Sequence, residues 1–552
     1  MSLARRLELS GFNSGFGPAP ARIKDSMSRI SELRKRDWTT CDPAAVAELS
    51  CALNPSGRQV LRLIQAMALR ESLQLGGVWC AARVGAGKTL IAGLLATLYE
   101  DQRPLVVVPG GHGDKTELEF AGYRKLGWEL SHKIQVVSYS DIARDVDEKL
   151  LRTYSPGRLI CDEVDKLRRV GKSGSGTAKR VSQWMAANPT TGFDAMSGTM
   201  FKEGLKDYGH ILNWTLKGNA PVPELPGRIS AWHTALKEGK ASKSVWKELT
   251  GCEAGPDFRK AFRERLWYSP GVLISVDCFD GVPLNLEKVQ IDAERALDRL
   301  YETGETPDGL DVVDDGREDS ESIDGTWAVE RQMALGFYYK PDPDPPKPWA
   351  KARRDWFRFV RRMIESGDFN TELQVRRWAE KAQDSIWLSW KAIQPTFQPR
   401  FIPVWLNDNA IEFARAWGRD GGTLWTDHRA FAERLSAETG WRWFAGGGRD
   451  QSGMMIEQCR DKTVIVSRQA NGTGRNLQHW NRALVTALPG NGRDMEQLLG
   501  RQHREGQMNP VHIDILMGCR AHHADLAKVI DLSQQELEET GRKNKILTAG
   551  WG

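Results

Sequence analysis

Residues 78–99 read VWCAARVGAGKTLIAGLLATLY, and the order of parts in this stretch decides the fold. The run GVWCAA (77–82) is apolar and fits a short buried strand. Leu90, Ile91, Leu94, Leu95 and Leu98 then recur at helical spacing. Between strand and helix, Gly85 and Gly87 flank Ala86 and supply positions where positive φ costs little. A strand–loop–helix junction of this kind aims backbone N–H groups at an anion, at the positive end of the helix. Lys88 would reach β and γ phosphates there, and Thr89 would ligate Mg2+. One position departs from the pattern G-x-x-x-x-G-K-[ST]: Ala82 stands where the first glycine belongs.

At 552 residues and 40% apolar content the chain suggests several domains, each able to build a core. Its 77 basic and 72 acidic residues nearly cancel, at +5, so a nucleic-acid surface would have to be a local groove. The eight cysteines form no C-x-x-C pair, which suits a reducing compartment and no structural zinc. With no apolar leader at the N-terminus and no long apolar run, a cytoplasmic, non-membrane protein is expected. The 21 tryptophans are expected mainly in cores and domain contacts.

Short β-type runs cluster in two zones. The first holds PLVVVP (104–109), KIQVVSY (133–139), RLIC (158–161) and FDAM (193–196). The second holds TLWT (423–426), TVIVS (463–467), ALVTAL (483–488) and VHIDIL (511–516). Helical patterns between them argue two α/β units with mainly parallel sheets. The stretch between the zones differs. It contains an acid-rich segment (307–324), a proline cluster (341–348) and KARRDWFRFVRRMI (351–364). In the last, Trp356, Phe359, Val360 and Met363 share one helical face, and Arg354, Arg358, Arg361 and Arg362 the other. Such a basic face is either solvated or tracks a phosphate backbone. Cys519, His522 and His523 lack further ligands nearby and read as a helix start with surface histidines.

RLICDEVDKL (158–167) is a strand that ends in Asp162, Glu163, Val164 and Asp165. Acids at the carboxyl end of a strand in an open α/β sheet face the ligand crevice. Asp162 is placed to hold Mg2+, directly or through water, and Glu163 to take a proton from an attacking water.

SGTM (197–200) follows the FDAM strand, and QLLGRQHREGQ (497–507) gathers Gln497, Gly500, Arg501, His503, Arg504, Gly506 and Gln507. This run resembles motif six of helicase superfamily two, Q-x-x-G-R-x-x-R. Its H-R-x-G-Q ending resembles the Swi/Snf-type DNA translocases, of phage or bacterial kind. Other segments fall in that family's order: PLVVVP resembles motif Ia, VVSYSDI (136–142) motif Ib, TLWTDH (423–428) motif IV and NGTGRNLQ (471–478) motif V. The superfamily's motif I, [AG]-x-x-G-x-G-K-[ST], also accommodates Ala82. Departures at residues 81–84, at Met200 and at Asp165 leave the subfamily open.

The resemblance implies two tandem RecA-like P-loop lobes, 51–215 and 401–520, with a helical insertion at 216–400. An N-terminal extension (1–50) and a C-terminal helical tail (521–552) flank them. It implies ATP and Mg2+ between the lobes, with Arg501 and Arg504 as second-lobe catalytic groups and Arg504 first choice as arginine finger. Ser197, Thr199 and Gln497 would couple nucleotide state to grip on DNA. The adenine-reading residue is Gln59 by spacing, with Gln65 as the alternative. DNA, duplex rather than single-stranded and in preference to RNA, would lie near Ser138, Tyr139, Ser140, Asn471 and Thr473, with Arg354 and Arg358 assisting. The expected function is an ATP-driven DNA translocase or helicase, in bacterial or phage replication or recombination. The alternatives are an RNA helicase with the same motor and a nucleotide-gated scaffold that does not cycle.

Overall fold

The computed structural model describes residues 29–30, 32–33, 35–37, 43–57, 59–83, 85–144, 149–168, 176–198, 204–250, 257–275, 281–303, 306, 325–365, 372–398, 400–471 and 475–552. The architecture is mixed α/β, built on two parallel sheets. The first contains β1 (Trp79–Ala81), β2 (Pro104–Val108), β3 (Gln135–Ser138), β4 (Arg158–Cys161), β5 (Gly192–Ser197) and β6 (Val272–Ile274), in the order β3-β2-β4-β5-β1-β6. Side chains alternate between two buried faces. Trp79, Leu105, Val107 and Leu159 enter one core; Cys80, Val106, Val108 and Ile160 enter the other. Burial on both faces is what a parallel sheet with helical crossovers requires.

The second sheet begins with β7 (Leu284–Gln290). The chain then forms an antiparallel pair, β8 (Phe337–Asp342) with β9 (Arg400–Trp405), before returning. β10 (Gly422–Thr426), β11 (Trp443–Phe444), β12 (Thr463–Ser467), β13 (Arg482–Val485), β14 (Val511–Met517) and β15 (Gly550–Trp551) complete it, in the order β11-β12-β10-β13-β14-β7-β15. All its pairings are parallel. A separate Trp-rich core joins the helices Lys347–Glu365 and Ser385–Ile393 through Trp349, Trp356, Trp387 and Trp390, and the helix Glu372–Ala382 through Val375 and Ala379. No described helix is long and apolar enough to cross a membrane.

Three expected boundaries are corrected. Residues 216–400 are not a self-contained helical insertion, because β6 pairs with β1 and β7 with β14. The tail 521–552 is not only helical, because β15 pairs with β7. Residue 51 falls inside the helix Pro43–Leu53, whose Leu49 and Leu53 are buried in a core of the first sheet. The acid-rich segment 307–324 lies outside the described residues. The helix Arg520–Thr540 packs on both halves. Its Glu538 meets Arg259 at 2.5 Å, on a helix (Phe258–Tyr268) that belongs to the first core, and it also packs on the helix Gly492–Leu499.

Candidate nucleotide site

Parallel pairing puts the carboxyl ends of the first sheet's strands on one edge, where α/β sheets take their ligands. The glycine loop follows β1 and the acids follow β4. β5 runs between those two strands, so Ser197 at its end stands between loop and acids.

Gly85 and Gly87 adopt φ of 84° and 78°, as the loop reading requires. A side chain at Gly87 would also strike Gln65 Nε2 at 2.3 Å. Ala82 is fully buried and is not among the positive-φ residues, so its methyl is accommodated where glycine is customary. Lys88 opens the helix Lys88–Leu98, with Thr89 next and half-buried. Lys88 Nζ lies 3.4 Å from the Ala82 carbonyl and 3.8 Å from Glu163 Oε1. Gln65 donates to the Ala86 carbonyl at 2.8 Å, whereas Gln59 is exposed and accepts from Trp128 Nε1. Of the two glutamines, Gln65 is the one in contact with the loop.

Glu163 sits at φ 48°, a left-handed conformation that costs a non-glycine residue about 1–3 kcal/mol. The Ser197 hydroxyl donates to Glu163 Oε2 at 2.9 Å and lies 3.2 Å from Asp165 Oδ1. Desolvation, and then the neighbouring Glu163 carboxylate, push Asp162 up to about 7. Desolvation acts upward on Glu163 too, but Lys88, then Arg493, the Ser197 hydroxyl and Arg501 outweigh it and bring Glu163 down to about 2. The environment thus separates two adjacent carboxyls, keeping Glu163 ionised.

The second sheet contributes cations. Arg501 and Arg504 both donate to the Arg475 carbonyl, at 3.0 and 3.4 Å. A methyl group built on Gly85 would stand 3.9 Å from Arg504 Nη2. Burial, then the Arg504 charge, pull Arg501 down to about 10. Gln497 is buried, and its carbonyl accepts from Arg501 Nε at 2.9 Å.

Three further cleft residues went unnoticed in the sequence. Arg493 pairs with Asp165 at 2.5 Å; it precedes Gln497 by four residues on one helix, a spacing that could have flagged it. Arg62 donates to the Gly85 carbonyl at 2.9 Å and pairs with Glu505, beside Arg504, at 2.5 Å. His112 follows β2 in the loop GGHG. Burial, then Lys115, pull its imidazole down to about 4, which leaves it neutral at pH 7. No family model matches this chain, and no curated protein matches it.

Thr89, after the glycine loop, and Asp162, after β4, would each offer an oxygen to a cation. That number suits Mg2+, which completes its shell with phosphate and water. Among the described residues no group of three or more His, Cys, Asp or Glu side chains is arranged to hold a metal. His522, expected at the surface, is buried, and its Nδ1 accepts from the Gly518 N–H.

The residues named for DNA differ in how open they are. Asn471 is fully buried, and its amide donates to the Phe444, Ala445 and Ser467 carbonyls. Tyr139 is buried with its hydroxyl on the Asp162 carbonyl, and the Ser138 hydroxyl donates to Asp141. Ser140 is half-buried, and Arg354 and Arg358 are exposed. Trp356, on the same helix, is fully buried and cannot stack on a base. Thr199 and Thr473 lie outside the described residues.

Proposed function

We propose that the protein is an ATP-hydrolysing motor acting on DNA, a translocase or helicase built from two RecA-like lobes. One observation carries the reading. Lys88 of the glycine loop lies 3.8 Å from an ionised Glu163, and Arg501 and Arg504 from the other sheet donate to one carbonyl, with Arg504 next to Gly85. Two arginines sharing a carbonyl, with Arg504 next to Gly85, form a cationic wall that suits a polyphosphate rather than a neutral ligand.

In this reading Lys88 and the loop N–H groups bind the phosphates. Glu163 accepts the proton of the attacking water. Arg504 meets the charge that develops on the γ-phosphoryl group, and Arg501 supports it. Thr89 and Asp162 would hold Mg2+, which neutralises phosphate charge when bound. Both halves of the cleft are needed, so the relative motion of two sheets is what hydrolysis would drive.

That DNA is the track rests on the motif-six resemblance and the exposed basic helix face at Arg354 and Arg358. The non-cycling scaffold is disfavoured because Lys88, Glu163 and Arg504 are all present. The deciding experiment is phosphate release from ATP with no polynucleotide, single-stranded DNA, duplex DNA or RNA. DNA stimulation supports the reading, RNA-only stimulation moves the motor to RNA, and no hydrolysis under any condition rejects it.

A further inference from the structure

Glu163, Ser197 and Asp165 all stand on the carboxyl edge of the first sheet, and one residue of the second half reaches into that group. Arg493, on the helix Gly492–Leu499, places Nη2 2.5 Å from Asp165 Oδ2, and the two side chains are only 6% and 3% exposed. The other Asp165 oxygen lies 3.2 Å from the Ser197 hydroxyl, which donates to Glu163 at 2.9 Å. A continuous polar chain thus runs from Arg493 to the carboxylate that is the candidate base.

We propose that Arg493 is a positioning residue that aligns Glu163 through Asp165 and Ser197, so that the base is set only while the two halves are closed on each other. The proposal rests on the ATP-hydrolysis reading above. Its logic is one of competition. The Ser197 hydroxyl has one hydrogen and two carboxylates within reach. With Arg493 against Asp165, the negative charge of Asp165 is met from the far side, and Ser197 is left to Glu163. Without Arg493, Asp165 is a buried carboxylate lacking its cation, and the Ser197 hydrogen is its nearest substitute. Glu163 would then lose a donor that holds it in its left-handed conformation. Cleft opening draws Arg493 away in the same sense, which would couple hydrolysis to closure. The contact differs in kind from that of Arg504, which stands beside the glycine loop and would touch the phosphates directly.

The test uses the full chain in steady-state ATP hydrolysis with the best-stimulating polynucleotide, beside fluorescent-ADP binding. Arg493→Gln should lower kcat by about tenfold or more while KM for ATP and ADP affinity move less than about threefold. Arg493→Lys should recover part of the loss. Asp165→Asn together with Arg493→Gln should be no worse than Arg493→Gln alone, because both act through one contact. Wild-type kcat in Arg493→Gln would overturn the proposal, as would a parallel loss of ADP affinity or additive losses in the double variant. If Arg493→Gln does not fold, the double variant, uncharged on both sides, is compared with Asp165→Asn; a kcat within about threefold supports the proposal and a larger fall overturns it. Absence of hydrolysis by the wild-type chain under every condition would reject the ATPase reading itself, a result distinct from an active wild type with an indifferent Arg493.

Discussion

The Lys88 ammonium lies 3.8 Å from the Glu163 carboxylate, so the candidate phosphate anchor and the candidate base already share one small volume. Their roles should separate on substitution. Lys88→Ala should lose nucleotide affinity, whereas Glu163→Gln should still bind MgATP and lose turnover. Nucleotide titration alongside phosphate release distinguishes them, and wild-type hydrolysis by Glu163→Gln would remove this residue from the mechanism.

Arg504 reaches the glycine loop from the other half of the molecule. Arg504→Ala should lower turnover by about a thousandfold or more, the usual cost of losing an arginine finger. ATP affinity should change far less, because Lys88 and the loop remain. A rate close to wild type would shift the assignment to Arg501.

Stability of the first sheet depends on a buried pair beneath the site. Asp194 accepts from Arg158 at 2.6 Å, from Ser72 at 2.7 Å and from the Val78 N–H at 3.1 Å, and both charged side chains are nearly inaccessible. Asp194→Ala leaves Arg158 uncompensated and should cost about 3–5 kcal/mol. Denaturant unfolding followed by tryptophan fluorescence reads this directly, and a change below about 1 kcal/mol would contradict the tether.

The track can be told from rates. Duplex DNA should stimulate hydrolysis at least as well as single strands, and the stimulation should weaken steeply with salt as counterions are released. Reversing Arg354 and Arg358 to Glu should reduce duplex stimulation more than single-strand stimulation. Stimulation by single strands alone, with unwinding of a forked duplex, would favour a strand-separating helicase.

The sequence makes the first site half legible because its chemistry is local. Gly85, Gly87, Lys88, Asp162 and Glu163 each follow a strand within a few residues, and all appear on the expected edge. What stays hidden is set by distant pairing. β6 is three residues long, and β7 reads LNLEKVQ, whose charged second half shows no alternation because it is only partly covered. Their partners lie far off in the chain, at β1 and β14. For Arg493 the four-residue spacing from Gln497 gives the helical face, but not that Asp165 lies opposite. Motif position does not report burial either, and Tyr139 and Asn471 are buried.

The order of strands in the second sheet has a consequence for how the molecule comes into being. β7 is synthesised midway along the chain yet sits between β14 and β15, two of the last segments to be made. The first sheet has all six strands once residue 274 has emerged, and at about 5–20 residues per second it can close before synthesis is over. β7 must wait through more than two hundred further residues for its neighbours. Its unpaired edge makes this interval the time at which the nascent chain is most exposed to wrong pairing. Holding residues 284–290 apart from other strands during translation is therefore a demand that this topology places on the cell.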